Sequence, residues 1–160
     1  MSIEIQLTVN GTAVTRTIEA RTHLVDFLRE DLGLTGSHLG CEHGACGACT
    51  VKLDNQIVRG CLVLAAQTHG CKVETIETPT PSPALKALQE AFVKRNALQC
   101  GYCTSGMLMA CTELVETQPN ANREQIRAWI SGNYCRCTGY HAIVDAVCDV
   151  LNNMKQGASA

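Results

Sequence analysis

Gly40-Cys41-Glu42-His43-Gly44-Ala45-Cys46-Gly47-Ala48-Cys49 is the stretch that decides how this chain is read. Its three cysteines, with Cys61, are spaced C-x4-C-x2-C-x11-C. A second set, Cys100, Cys103, Cys135 and Cys137, is spaced C-x2-C-x31-C-x-C. Each set offers four thiolates, the number that one [2Fe–2S] cluster takes. Four thiolates overcompensate the positive charge of two ferric irons and two sulfides, so hydrogen-bond donors must surround the sulfurs. Gly40, Gly44 and Gly47 answer that need. Glycine accepts positive φ and lets backbone N–H groups approach sulfur.

The first spacing is that of plant-type ferredoxins. Zinc also takes four thiolates, but usually from two C-x2-C-like knuckles, and C-x4-C-x2-C is atypical for it. In the second set, Cys100-Gly101-Tyr102-Cys103 precedes a helical pattern at Met107, and Cys135-Arg136-Cys137 precedes one at Ile143. Both cysteine pairs are therefore expected at helix N-termini, where free N–H groups and the helix dipole favour negative charge. A disulfide scaffold is the competing use of eleven cysteines. The odd count weighs against it, as does the C-x-C pair at Cys135 and Cys137.

Composition sets the bounds. The chain has 160 residues, 46% hydrophobic and 18% charged, with a formal net charge of −2. Such a charge argues against nucleic acid as the main partner. No apolar stretch is long enough to span a membrane. Met1-Ser2-Ile3-Glu4-Ile5-Gln6 shows no basic segment leading into an apolar run, so no signal peptide is visible and the cytoplasm is the expected compartment. Aromatics make up only 4%, which leaves aliphatics, alanine and the metal sites to supply the core.

The pattern divides into two halves, giving an α+β chain. Residues 1–76 read as β-rich. Ile3, Ile5, Leu7 and Val9 alternate, Asn10-Gly11 makes a hairpin turn, and Val14 and Ile18 lie on the return strand. A short helix is expected from Thr22 to Gly33, carrying Leu24, Phe27, Leu28 and Leu32 on one stripe. Thr50–Leu53 and Gln56–Val58 form a second hairpin, and Lys72–Ile76 a last strand. This is the outline of a β-grasp ferredoxin domain. Residues 77–83 hold three of the four prolines and read as a stiff linker. Residues 84–160 read as a helical domain with four short helices packed as a bundle, the second carrying Met107, Leu108, Cys111, Leu114 and Val115 on one stripe. Ser82 caps the first helix, with Pro83 at its first position, and Asn122 with Gln125 makes a capping box. The tail from Gln156 to Ala160 is expected to be disordered.

Beyond the spacing, three motifs carry a resemblance. They are Cys41-Glu42-His43-Gly44-Ala45-Cys46-Gly47-Ala48-Cys49, Leu98-Gln99-Cys100-Gly101-Tyr102-Cys103-Thr104 and Gly132-Asn133-Tyr134-Cys135-Arg136-Cys137-Thr138-Gly139-Tyr140. The chain resembles the small iron–sulfur subunit of the molybdenum hydroxylases, the xanthine dehydrogenase, aldehyde oxidase and carbon monoxide dehydrogenase family. One departure is Ser105, which stands where the family usually has proline. The resemblance implies two [2Fe–2S] clusters in this chain, with molybdenum on a molybdopterin dinucleotide in a large subunit and FAD in a medium subunit. It implies that this subunit carries electrons from the molybdopterin centre to FAD or another acceptor, with the helical-domain cluster nearer molybdenum. It also implies that Gln99 and Cys137 contact the pterin.

Other residues read more plainly. His43 lies inside the first cysteine loop, but four cysteines complete that set, so a surface role is expected. His23, His38, His69 and His141 show no pairing pattern. Cys111 and Cys148 fall on buried helical stripes, whereas Cys71 reads as exposed. Arg136 offers either charge near a cluster or a structural ion pair. Tyr102 and Tyr134 shield metal from water. Two rival functions follow: a free-standing two-cluster ferredoxin that shuttles between soluble partners, and a zinc-stabilised interaction module.

Overall fold

The structure is a computed structural model that describes residues 1–158. Strands β1 (Ser2–Val9) and β2 (Thr12–Glu19) form the first hairpin. Asn10 and Gly11 turn it at φ 49° and 83°. Two positive φ values make a type I′ turn, whose twist suits a two-residue hairpin. Asp54 and Asn55, at φ 46° and 68°, do the same between β3 (Thr50–Leu53) and β4 (Gln56–Arg59). Strand β5 (Lys72–Glu74) completes a five-stranded sheet in the order β2-β1-β5-β3-β4. The β1–β5 pair is parallel and the others are antiparallel. Ile5, Leu7, Val9, Val51 and Val73 face one core, in the alternation expected of β1.

Two elements of the first half differ from expectation. The helix does not start at Thr22. It is a short α1 (Leu24–Asp26) that runs on as a π-helical turn over Phe27–Asp31. The backbone just before it is committed elsewhere: Ala65 N–H donates to Thr22 O at 2.8 Å, and His23 bridges to Leu64. Leu24, Phe27 and Leu28 still enter the core, and Gly33 at φ 69° ends the segment. Strand β5 stops at Glu74 because Thr75 turns to Asn10. Thr75 N–H donates to Asn10 Oδ1 at 2.8 Å, and Asn10 Nδ2 donates to Thr75 Oγ1 at 2.9 Å.

Four helices follow: α2 (Pro83–Lys94), α3 (Thr104–Thr117), α4 (Arg123–Ile130) and α5 (His141–Ala158). Ser82 Oγ accepts the Leu85 N–H at 3.3 Å, as an N-cap does. Asn122 and Gln125 exchange side-chain-to-backbone bonds at the start of α4. Residues 156–158 belong to α5 rather than to a disordered tail; Ser159 and Ala160 lie outside the described residues.

Helix α3 departs from the one-sided stripe that its sequence shows. Every residue from Ser105 to Thr112 is buried, along with Leu114 and Val115. One side meets the other helices, where Trp129 Nε1 donates to Ala110 O at 3.0 Å. The opposite side meets the β3–β4 hairpin. There Ile57 N–H donates to Glu113 Oε1 at 2.9 Å, and Lys52 pairs with Glu116 at 3.0 Å. Gly106 permits the closest approach, since a Cβ there would lie 2.1 Å from Gly47 O. Helix α3 is thus the wall shared by both halves.

Candidate metal centres

Three cysteines of the first cage lie in the loop between the π-helical turn and β3, and Cys61 follows β4. Glu42, Gly44 and Gly47 hold φ values of 56°, 82° and 75°, which curl the backbone around the sulfurs. Cys46 N–H donates to Cys41 Sγ at 3.4 Å. That donor, followed by the backbone at His43, lowers the Cys41 thiol to about 6. Such donors favour the thiolate. Cys41 and Cys46 are half-buried, while Cys49 and Cys61 are buried. Burial pushes the Cys49 thiol up to about 11, and the Cys61 thiol lies against it. Gly60 N–H, donating to Cys49 O at 3.0 Å, fastens the segment that delivers Cys61.

The second cage is built from two segments. Cys103 is the N-cap of α3, so the expected helix start holds for the first pair. It does not hold for the second. Thr138, Gly139 and Tyr140 separate Cys137 from α5, and positive φ at Gly139 (62°) and Tyr140 (68°) swings the chain round. The donors come from Thr138 instead, whose N–H and Oγ1 meet Cys135 Sγ at 3.4 and 3.1 Å. Burial opposes ionisation of Cys135, but the Thr138 donors outweigh it and leave the thiol below its ordinary value. Burial raises the neighbouring Cys103 thiol to about 12. Cys100 and Cys137 are exposed, their sulfurs 3.6 Å apart; the bond between the two thiols raises Cys137.

The eight thiols therefore stand in four pairs: Cys41 with Cys46, Cys49 with Cys61, Cys100 with Cys137, and Cys103 with Cys135. Among the described residues, no three His, Cys, Asp or Glu side chains close around a single ion. Pairs are what a binuclear centre asks for, since four thiolates shared by two irons give two to each. The donor set, its pairing and the N–H groups aimed at sulfur suit a [2Fe–2S] cluster in each cage.

The two cages touch. Tyr134 N–H donates to Cys46 O at 2.8 Å. The buried Asn133 donates from Nδ2 to Gly47 O at 3.0 Å. Arg59 Nη2 donates to Gly132 O at 2.8 Å. His38 Nδ1 lies 2.8 Å from Tyr102 O, and Tyr102 Oη donates to Leu39 O at 2.8 Å. Sequence reasoning gave no role to Arg59, read His38 as structural or solvated, and quoted Asn133 and Thr138 only within a motif. The hydrogen-bonding residue type at Thr138, three positions past Cys135, was the one signal available for it.

The remaining residues fall into place. Gln99 Nε2 donates to Cys137 O at 3.0 Å, which leaves acceptor and donor capacity in an exposed amide. His43 is exposed, with Nδ1 2.5 Å from Cys41 O in its own loop. Arg136 is exposed and makes no ion pair among the described residues, so the structural salt bridge is not found. Cys111 is fully buried, its thiol raised to about 12 by that burial. Cys148 and Cys71 are half-buried. Tyr102 and Tyr134 remain about half exposed, so they cover the cages only in part.

Comparison with known proteins agrees with this geometry. Residues 7–70 match the family model of a 2Fe-2S iron–sulfur cluster binding domain, and residues 73–148 match that of a [2Fe-2S] binding domain. The chain is 52% identical to the nicotine 6-hydroxylase small subunit of Paenarthrobacter nicotinovorans, over 92% of this chain and 88% of that one. It is 49% identical to caffeine dehydrogenase subunit gamma of Pseudomonas sp. (strain CBB1), over 89% and 87%. Among solved structures, quinoline 2-oxidoreductase from Pseudomonas putida 86 matches with a TM-score of 0.89 at 44% identity, covering 98% of each chain. Spacing, paired thiols and these likenesses lead to one statement: the chain belongs to the small [2Fe–2S]-binding, electron-transfer subunits of the molybdenum-hydroxylase family.

Proposed function

We propose that Cys41, Cys46, Cys49 and Cys61 hold one cluster and Cys100, Cys103, Cys135 and Cys137 the other, with the thiol pairs described above each serving one iron. The pairing of all eight thiols carries this assignment. When assembled, each cluster supplies a one-electron couple. The chain's own part is to ligate, to aim donors at sulfur and to limit water. The Cys46 N–H on Cys41 and the Thr138 hydroxyl and N–H on Cys135 soften the anionic charge of the set.

The exposed pair Cys100 and Cys137, with Gln99 bonded to the Cys137 carbonyl, forms the face turned to the molybdopterin subunit. Gln99 and Cys137 are the residues that meet the pterin there. A medium FAD subunit takes electrons from the first cage. The unit boundaries in this reading are 1–76, 77–83 and 84–160. Relatives serve enzymes named for nicotine, caffeine, nicotinate, xanthine and aldehyde, so the substrate is selected on the large subunit rather than here. Among the described residues, no helix is long and apolar enough to cross a membrane. Eight thiolate ligands and three further cysteines outside any disulfide suit a reducing compartment, for which we take the cytoplasm.

Iron analysis and paramagnetic resonance of the complex purified from its native source test the reading. About four irons per chain, two distinct reduced [2Fe–2S] signals and co-purifying molybdopterin and FAD proteins are expected. Zinc in the cages, or about two irons, would overturn it.

A further inference from the structure

Arg59, Asn133 and Gly47 meet where three cysteine-bearing segments converge. Gly47 follows Cys46, Arg59 stands two residues before Cys61, and Asn133 two before Cys135. Asn133 is 2% exposed. Its Nδ2 donates to Gly47 O at 3.0 Å and to Thr50 Oγ1 at 3.3 Å, and its Oδ1 accepts from Arg59 Nη2 at 3.2 Å. Arg59 Nη2 also reaches Gly132 O at 2.8 Å, and its Nη1 donates to Thr50 Oγ1. The contact is closed to side chains from both directions. A Cβ on Gly47 would fall 2.6 Å from Asn133 Nδ2, and one on Gly132 would fall 2.9 Å from Arg59 Nη2.

Docking of the two halves does not by itself call for this cluster of bonds. Glu113 with Ile57, Glu116 with Lys52 and the Gly106 contact already hold α3 to the β3–β4 hairpin. What the pair adds is local. It clamps the loop of Cys46 against the loop of Cys135 beside the Tyr134 N–H bond to Cys46 O. A buried amide bonded at both its oxygen and its nitrogen, as Asn133 is, holds one geometry rather than several.

We propose that Arg59 and Asn133 are a positioning pair that fixes the gap between the two cages, and with it the rate at which an electron crosses between them. The proposal rests on the ligand assignment above. One electron leaves the donor cluster and one is gained by the acceptor; no bond forms or breaks and no proton moves. Transfer between weakly coupled centres falls steeply with separation, so loosening the clamp slows it without removing either cluster.

The test uses the native complex carrying Asn133→Ala, with both clusters reduced. Magnetic interaction between two reduced clusters splits their resonance signals and reports their separation. In Asn133→Ala with about four irons per chain, a narrowed splitting and unequal reduction of the two clusters after substrate mixing are expected. The inter-cluster rate should fall severalfold, because electron tunnelling decays exponentially as the gap between the clusters widens. Arg59→Ala should act alike, and Arg59→Lys should restore part of the splitting. Unchanged splitting and rate in an iron-replete variant would overturn the proposal, as would a lowered melting temperature alone. Should Asn133→Ala lose iron, Arg59→Ala is read by the same two outcomes. Absence of two [2Fe–2S] signals in the wild-type chain would instead defeat the ligand assignment.

Discussion

His38 lies flat on Tyr102, with ring centroids 4.7 Å apart and planes 17° apart. The two residues come from different halves, one beside the Cys41 loop and the other beside Cys103. Their polar atoms lock the stack: His38 Nδ1 donates to Tyr102 O, and Tyr102 Oη donates to Leu39 O. Tyr102→Phe keeps the ring and loses one hydrogen bond, which should cost about 1 kcal/mol. Tyr102→Ala should cost more and bleach the visible absorption of the clusters faster in air. The denaturation midpoint and the bleaching rate measure the two effects.

Gly106→Ala tests the shared wall. Its new methyl would meet Gly47 O at 2.1 Å and Ala48 O at 3.0 Å, and both are backbone atoms that cannot rotate away. Destabilisation of about 3 kcal/mol is expected, at the upper end of overpacking costs. Soluble yield and iron content should fall together. Normal iron content with an unchanged melting temperature would contradict the contact.

Ser105 Oγ is buried without a hydrogen-bond partner. Removing an unsatisfied buried hydroxyl relieves its desolvation cost, so Ser105→Ala should stabilise the chain by about 1 kcal/mol. Ser105→Pro should also keep both clusters, because Ser105 is the second residue of α3, where the N–H has no helical partner to lose. A drop in thermal midpoint in Ser105→Ala would show that the hydroxyl is engaged after all.

Arg95 and Asp149 tie α2 to α5 through two bonds, at 2.6 and 2.7 Å. The Arg95 guanidinium holds the Asp149 carboxyl below its ordinary value. A carboxyl lowered in the folded state adds stability above its unfolded pKa, and the gain is lost as pH falls through the folded one. Wild type should therefore exceed Asp149→Asn at pH 7, and the gap should close below about pH 4. Urea midpoints read by helical circular dichroism would check the sign. The pair is partly exposed, so the effect should be small and should shrink with added salt.

Gln99→Ala removes the side chain that grips the Cys137 carbonyl. Both clusters should assemble, while their reduction after substrate addition to the complex should slow severalfold, since Gln99 positions the electron entry point. Rapid-mixing absorbance gives the rate. Unchanged kinetics would remove Gln99 from the path.

The cages were legible because their chemistry is local. Cysteine type and spacing name the donor set within ten residues for most of the first cage, and strand alternation and caps place the elements around it. Contacts between distant residues were not legible. Arg59 meets Asn133 across 74 positions, and His38 meets Tyr102 across 64. No periodicity connects residues that far apart. The same limit explains α3: its stripe of Met107, Cys111 and Leu114 showed one buried side, while the second depends on a hairpin that sequence pattern cannot bring alongside. At Cys137 the expected helix start fails because Gly139 and Tyr140 both take positive φ; the glycine is a turn signal, but nothing in the pattern calls for a tyrosine to extend it.

A helix buried on every side from Ser105 to Thr112 makes the polypeptide hard to divide. Cleavage anywhere in 75–82 would free the C-terminal fragment to bare the buried flank of α3 that now lies against the β3–β4 hairpin, which water penalises. Neither piece would behave as a small freestanding ferredoxin, and a nicked chain should stay associated until denatured.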